Sequence, residues 1–173
     1  MSWGDVFADG RRQAGASPET LAIFERRLRV PPDNDEVAAI RAMNVPVPDP
    51  SGWRLPDRPL PESYLSLLRY SDGGECGGGE RWFQLFRTSG PVGVREMTLS
   101  YHVPVYMPGA LPFAFNGSGI FYLFDMRGRA DEYPVIAASA GALGWEPDEY
   151  ALVAPTLAEA CRGTTNIGDL LYG

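Results

Sequence analysis

The side chains able to do covalent chemistry are few: one histidine, His102, and two cysteines, Cys76 and Cys161. A thiol nucleophile needs a base within hydrogen-bond reach, so the pairing to weigh is Cys76 with His102. Cys76 stands among glycines between Glu75 and Glu80, and nearby negative charge raises a thiol's pKa and blunts it. A loop cysteine and a turn or surface histidine are the plainer readings. One histidine and two cysteines at no recognisable spacing cannot close a zinc shell without help from carboxylates. The run Gly73-Gly74-Glu75-Cys76-Gly77-Gly78-Gly79-Glu80 lacks the lysine and hydroxyl of a phosphate-binding loop, and its two glutamates would repel phosphate. It reads as a flexible turn or a partner-contacting loop.

Paired carboxylates for acid–base work could be drawn from Asp125, Asp131, Glu132, Glu146, Asp148 and Glu149, but a solvated acidic face is the simpler account. No catalytic residue, cofactor or metal is therefore expected. The same acids, with Glu75 and Glu80, suit a different role, that of presenting negative charge to a basic protein. Close charge pairs across an interface couple by about 1.5–7 kcal/mol and speed encounter. Trp145, beside Glu146, Asp148 and Glu149, is the aromatic anchor such a surface would want. Equally, it could plug a sheet edge. Trp82, Phe83, Phe86, Phe121, Tyr122 and Phe124 are assigned to the core.

Composition narrows the classes. A chain of 173 residues suits a single domain, able to bury ~70% of its unfolded surface. Its net charge of −7 argues against nucleic acid or an anionic membrane as direct partner. All 15 basic residues are arginine, which genomic base composition explains. Two cysteines make no disulfide scaffold, the first residues show no secretory signal, and no apolar run reaches the ~18–20 residues of a membrane helix. A cytoplasmic, soluble protein is expected.

The elements that must position these side chains follow from local chemistry. Ser17-Pro18 starts a helix carrying Leu21, Phe24 and Leu28 on one side. Asp33 and Glu36 form a capping box for a helix over Val37 to Met43, with Ile40 inward. Six prolines between Pro46 and Pro61 exclude regular structure, leaving an extended connection held down by Trp53 and Leu55. Pro61 suits a first helical position, Tyr64, Leu67 and Leu68 form a stripe, and Gly73 supplies a left-handed stop. Trp82 to Phe86 reads as a strand, Val92 to Leu99 as either helix or strand, and Val103 to Met107 as an edge strand because of Pro104. Phe113 to Phe115 and Ile120 to Phe124 flank a hairpin at Asn116-Gly117-Ser118-Gly119. Strands at Tyr133 to Ala138 and Glu149 to Val153 follow, then a helix from Thr156 to Arg162, ended by Gly163. The pattern predicts an α+β fold: an antiparallel-rich sheet of about five to six strands, with N-terminal helices and a C-terminal helix packed on it. Residues 1–32 form a helical extension and 33–173 the α+β domain, one globular unit overall.

Several of these segments resemble the SUKH superfamily, the fold of bacterial toxin-immunity proteins and of SMI/KNR-like fungal cell-wall regulators. They are Leu60-Pro61-x-x-Tyr64-x-x-Leu67-Leu68 with its Gly73-Gly74-Glu75 stop; the hairpin from Ala110 to Asp125; the strand at Val135; and the step from Tyr150 to Ala160. The similarity runs roughly from Glu36 to Gly163. The proline-rich connection is longer than the family's usual link. This resemblance implies a non-enzymatic immunity protein that neutralises a cognate toxin, for example a nuclease, by stoichiometric binding. The alternative it implies is a non-catalytic adaptor assembling host proteins. The fold identifies neither the toxin nor the oligomeric state.

Overall fold

Every strand pairs antiparallel with its neighbours in sequence, so the sheet is a single meander in the order β1 to β7. The computed structural model describes residues 2–173. Its strands are β1 (Arg11–Arg12), β2 (Gly74–Gly78), β3 (Arg81–Leu85), β4 (Ala110–Phe115), β5 (Ile120–Asp125), β6 (Val135–Ser139) and β7 (Tyr150–Ala154). The helices are α1 (Trp3–Val6), α2 (Pro18–Leu28), α3 (Asn34–Ala42), α4 (Glu62–Tyr70), α5 (Val94–Ser100), α6 (Val103–Tyr106), α7 (Leu157–Arg162) and α8 (Ile167–Tyr172). The α+β expectation is met, with seven strands where five to six were expected.

Both faces of the central strands are covered, which is why β4 and β5 are buried almost throughout. On one face, Phe83 stacks on Tyr122 at 4.2 Å, and Tyr64 of α4 lies 5.1 Å from Phe124. On the other, Phe121 meets Phe115 at 4.3 Å and Tyr101, just after α5, at 4.9 Å. Full burial of side chains such as Phe83, Phe121 and Phe124 stabilises the fold by about 1.5–3 kcal/mol each. The hairpin that aligns β4 with β5 turns through Gly117 and Gly119, whose φ angles of 91° and 85° only glycine adopts without strain.

Local signals hold where a side chain caps a backbone. Ser17 accepts from Thr20 N at 3.1 Å, and the Asp33–Glu36 capping box is complete in both directions. The proline-rich connection is pinned as expected: Trp53 and Leu55 are buried, and Trp53 Nε1 donates to Pro48 O at 3.2 Å. A 3-10 turn at Pro50–Gly52 lies within it.

Four expectations need correction. Val103 to Met107 is no edge strand but the short helix α6, with Pro104 in its first turn, where a missing N–H costs nothing. The glycine-rich run is no free loop; Gly74–Gly78 pairs along all of β3. Pro61 caps α4 from outside it, and Gly73, with φ 89°, bends the chain into β2 after the helix has already ended at Ser71. Trp82 is half-buried and belongs neither to the core nor to the part-buried ring packed on it. Val92 to Leu99 resolves as α5. The elements α1, β1 and α8 add to those expected.

The first 32 residues contribute Val6, Phe7, Leu21, Phe24 and Leu28 to the same core as the sheet. Among the described residues, no helix is long and apolar enough to cross a membrane.

Candidate functional site

Arg127 organises the most closely built group among the sequence-predicted residues. It follows β5, and its guanidinium donates to both oxygens of Asp125, at 2.9 and 2.8 Å. The same guanidinium sits over the ring of Trp145, 3.5 Å from its centre. Trp145 Nε1 donates to Pro108 O at 3.0 Å, and its ring meets Tyr150 edge-on at 5.3 Å. Burial by itself would raise the Asp125 carboxyl, but the Arg127 hydrogen bonds outweigh it and hold the group below its ordinary value. Asp125 is thus neutralised from within the chain, and both the polar edge and a face of Trp145 are already engaged.

The other predicted residues lie on three segments: the loop before β7, the β5–β6 loop and the β2 end of the sheet. Glu149 accepts from Glu146 N at 2.9 Å, fixing the loop before β7, and Glu146 and Asp148 are exposed. Glu132 accepts from Ser63 Oγ at 2.8 Å and ties the β5–β6 loop to α4. Asp131 lines an open depression of about 560 Å³ with Asp57, Arg58 and Arg129, a mixture that favours neither sign of charge. Glu75 and Glu80 lie on and just beyond β2, with β3 and β4 between them and β5. Glu75 receives only a long contact from Gln84 Nε2 at 3.5 Å. The nine residues therefore do not form one patch.

The thiols and the histidine are all buried. Cys76 and Cys161 are buried and free. Burial pushes the Cys76 thiol far up and Cys161 up to about 12, so neither is a nucleophile at neutral pH. The electrostatic reason expected for Cys76, its flanking glutamates, is replaced by desolvation. His102 is not at the surface: it is 6% exposed, in the left-handed region with φ 56°, edge-on to Trp53 at 5.5 Å. Its Nε2 has no hydrogen-bond partner, and burial lowers its pKa. Among the described residues, no group of three potential metal ligands is clustered.

Two arginines that carry no signal in the sequence hold the frame. Arg95, 3% exposed, donates twice to Glu36 at 2.7 Å and also bonds the carbonyls of Arg27, Val30 and Pro31, locking the α2–α3 turn onto α5. Arg81 reaches Ala160 O at 3.2 Å and Thr165 Oγ1 at 2.8 Å, holding the α7–α8 turn beside β2. Nothing in a single sequence separates such an arginine from a solvated one.

A seven-stranded antiparallel meander packed with helices, with its thiols and histidine buried and carboxylates at its surface, defines an α+β domain. The model of the SMI1 / KNR4 family (SUKH-1) matches residues 53–162, and the chain belongs to that family. The match starts at Trp53, the anchor of the proline-rich connection, and ends with α7. No curated protein matches the chain.

Proposed function

We propose that this chain is an immunity-type protein of the cytoplasm. It neutralises a cognate bacterial toxin, a nuclease or other nucleic-acid-acting toxin, by stoichiometric binding and turns over no substrate. The observation that carries this reading is membership of the SMI1 / KNR4 family (SUKH-1) across all strands from β2 to β7. The charge fits it: a net −7, with Glu75, Glu80, Glu146 and Asp148 outside every ion pair among the described residues, offers anionic groups to a cationic cleft.

Co-expression with the toxin-like reading frame beside this gene tests it. Growth rescue and a co-purifying complex are the expected results. Absence of both, for every adjacent toxin-like frame, would count against the reading. Recovery of housekeeping proteins, with no toxin gene nearby, would favour an adaptor role.

A further inference from the structure

Among the described residues, one side of β1 to β3 has no helix packed over it; α1 touches β2 but is joined to α4, on the other side. Helices α5 and α6 lie over β4, while α7 packs against β2 from the opposite face, where Cys76 and Phe83 point. On the uncovered side the register places Arg11, Glu75, Gln84 and Phe115 in one row across β1 to β4. They line a groove of about 310 Å³, together with Phe86 and the exposed Val92.

Trp82 stands two residues from Gln84 on the same face. Its cross-strand neighbour is Gly77, which has no side chain to cover the ring. A side chain at Gly77 would also collide, since a Cβ there would lie 2.2 Å from Arg81 O. Among the described residues, the Trp82 side chain makes no hydrogen bond, no aromatic contact and no cation contact. Glu75 is its diagonal neighbour, at a spacing of about 7–8 Å between such positions. Neither Glu75 nor Arg11 across from it forms an ion pair among the described residues.

The chain itself displays what completes such a pair. At Trp145 an arginine covers the indole and donates to a carboxylate at once. At Trp82 the indole and carboxylate are present, but among the described residues no arginine covers the ring, and Arg11, across from Glu75, forms no ion pair with it. We propose that the uncovered face of β1–β3 is the docking surface, and that it takes an arginine presented by the protein partner, stacked on Trp82 and paired with Glu75. The proposal rests on the binding function proposed for the chain and names the face and the chemistry it reads. A planar guanidinium stacks flat on a ring while its in-plane fork of N–H groups donates to a carboxylate, a geometry that the compact, strongly hydrated ammonium does not match. Glu80, exposed at the β2–β3 turn, adds a second negative charge at the rim.

The deciding experiment is a titration of isotope-labelled protein with the peptide acetyl-Gly-Arg-Gly-amide, followed by NMR at low salt, against the lysine and glutamate versions. The largest shifts are expected at the Trp82 indole N–H and the Glu75 and Gln84 amides. The lysine peptide should bind at least about threefold more weakly, and the glutamate peptide not at all. Trp82→Ala should abolish the response and Glu75→Gln reduce it, with the rest of the spectrum unchanged. Shifts centred on Asp131 or Asp148, equal responses to lysine, no response, or self-association through this face would each overturn the proposal. Where a toxin complex is in hand, Trp82→Ala should weaken it at least ~30-fold, as a central tryptophan does. A complex indifferent to that change would sink the assignment of the face and leave the binding function standing. Failure to form any complex would strike the function, and the peptide titration would still decide the face.

Discussion

Arg127 sits over the ring of Trp145, its guanidinium carbon 3.5 Å from the ring centre, while the same group pairs with Asp125. The tryptophan that stands among acids in the sequence is thereby tied into the frame. A cation–π contact of this kind contributes about 0.5–2 kcal/mol.

Trp145→Ala should therefore lower stability, by about 2 kcal/mol, because the side chain is half-buried and bridges β7 to the turn before β4. Urea unfolding measures this. Toxin binding by the folded variant should be unchanged.

The Arg95–Glu36 pair gives a second expectation. The Arg95 hydrogen bond is the largest influence on Glu36 and holds its pKa below the ordinary value despite the opposing burial. A carboxylate with a depressed folded pKa contributes stability that is complete above its unfolded pKa, ~4.3, and lost as pH falls through the folded value. Acid titration of stability should show this limb, and Glu36→Gln should remove it. That variant also leaves Arg95 short of a counter-ion, costing about 3 kcal/mol at pH 7.

His102 acts in a higher window. Burial depresses its folded pKa, so protonation favours the unfolded chain. Stability should fall as pH drops below about 6.5, the unfolded value, and go on falling until the folded value is passed. His102→Asn tolerates the left-handed backbone and carries no titrating group, so it should remove this fall in stability below about pH 6.5. Thermal melts across that range, read by tryptophan fluorescence, check it.

Both thiols should be silent in the native protein. A disulfide-exchange reagent is expected to label neither Cys76 nor Cys161 until denaturant is added, when both react. Fast labelling of folded protein would contradict their burial.

Gly163 tests the α7–α8 turn. A Cβ there would lie 1.9 Å from Arg81 Nη1, so Gly163→Ala should displace the Arg81 hydrogen bonds and destabilise the C-terminal helices by about 1–3 kcal/mol. Hydrogen exchange in α8 should rise, with the β4–β5 core unaffected.

The features legible in the sequence are those encoded by neighbours along the chain. Ser17, Asp33 and the Asn116–Gly119 turn announce their elements because a short polar side chain or a glycine acts on backbone two or three residues away. The Leu60–Leu68 helix and the β4–β5 hairpin carry the family resemblance for the same reason. What stays hidden depends on partners far off in the chain. β2 is a strand only because β3 supplies its ladder, for its glycines have almost no strand propensity. α6 is a helix although valine, proline and tyrosine read equally as an edge strand. Trp82 leaves the core expected of it, and Trp145 takes the packed one of its two expected places, because a sequence shows neither the bare backbone at Gly77 nor the arginine that covers Trp145. Arg81, Arg95 and Arg127 look alike in the sequence and differ only in what surrounds them.

Stoichiometry most directly tests whether this protein acts by binding alone. Increasing amounts of it are added to a fixed amount of the neighbouring gene's toxin, and residual toxin activity is read. Binding without turnover predicts a linear loss that reaches its end point at one equivalent, with a complex of that composition recovered. Inactivation by a small fraction of an equivalent would reveal turnover, and an unchanged toxin would deny the interaction; either result contradicts stoichiometric neutralisation.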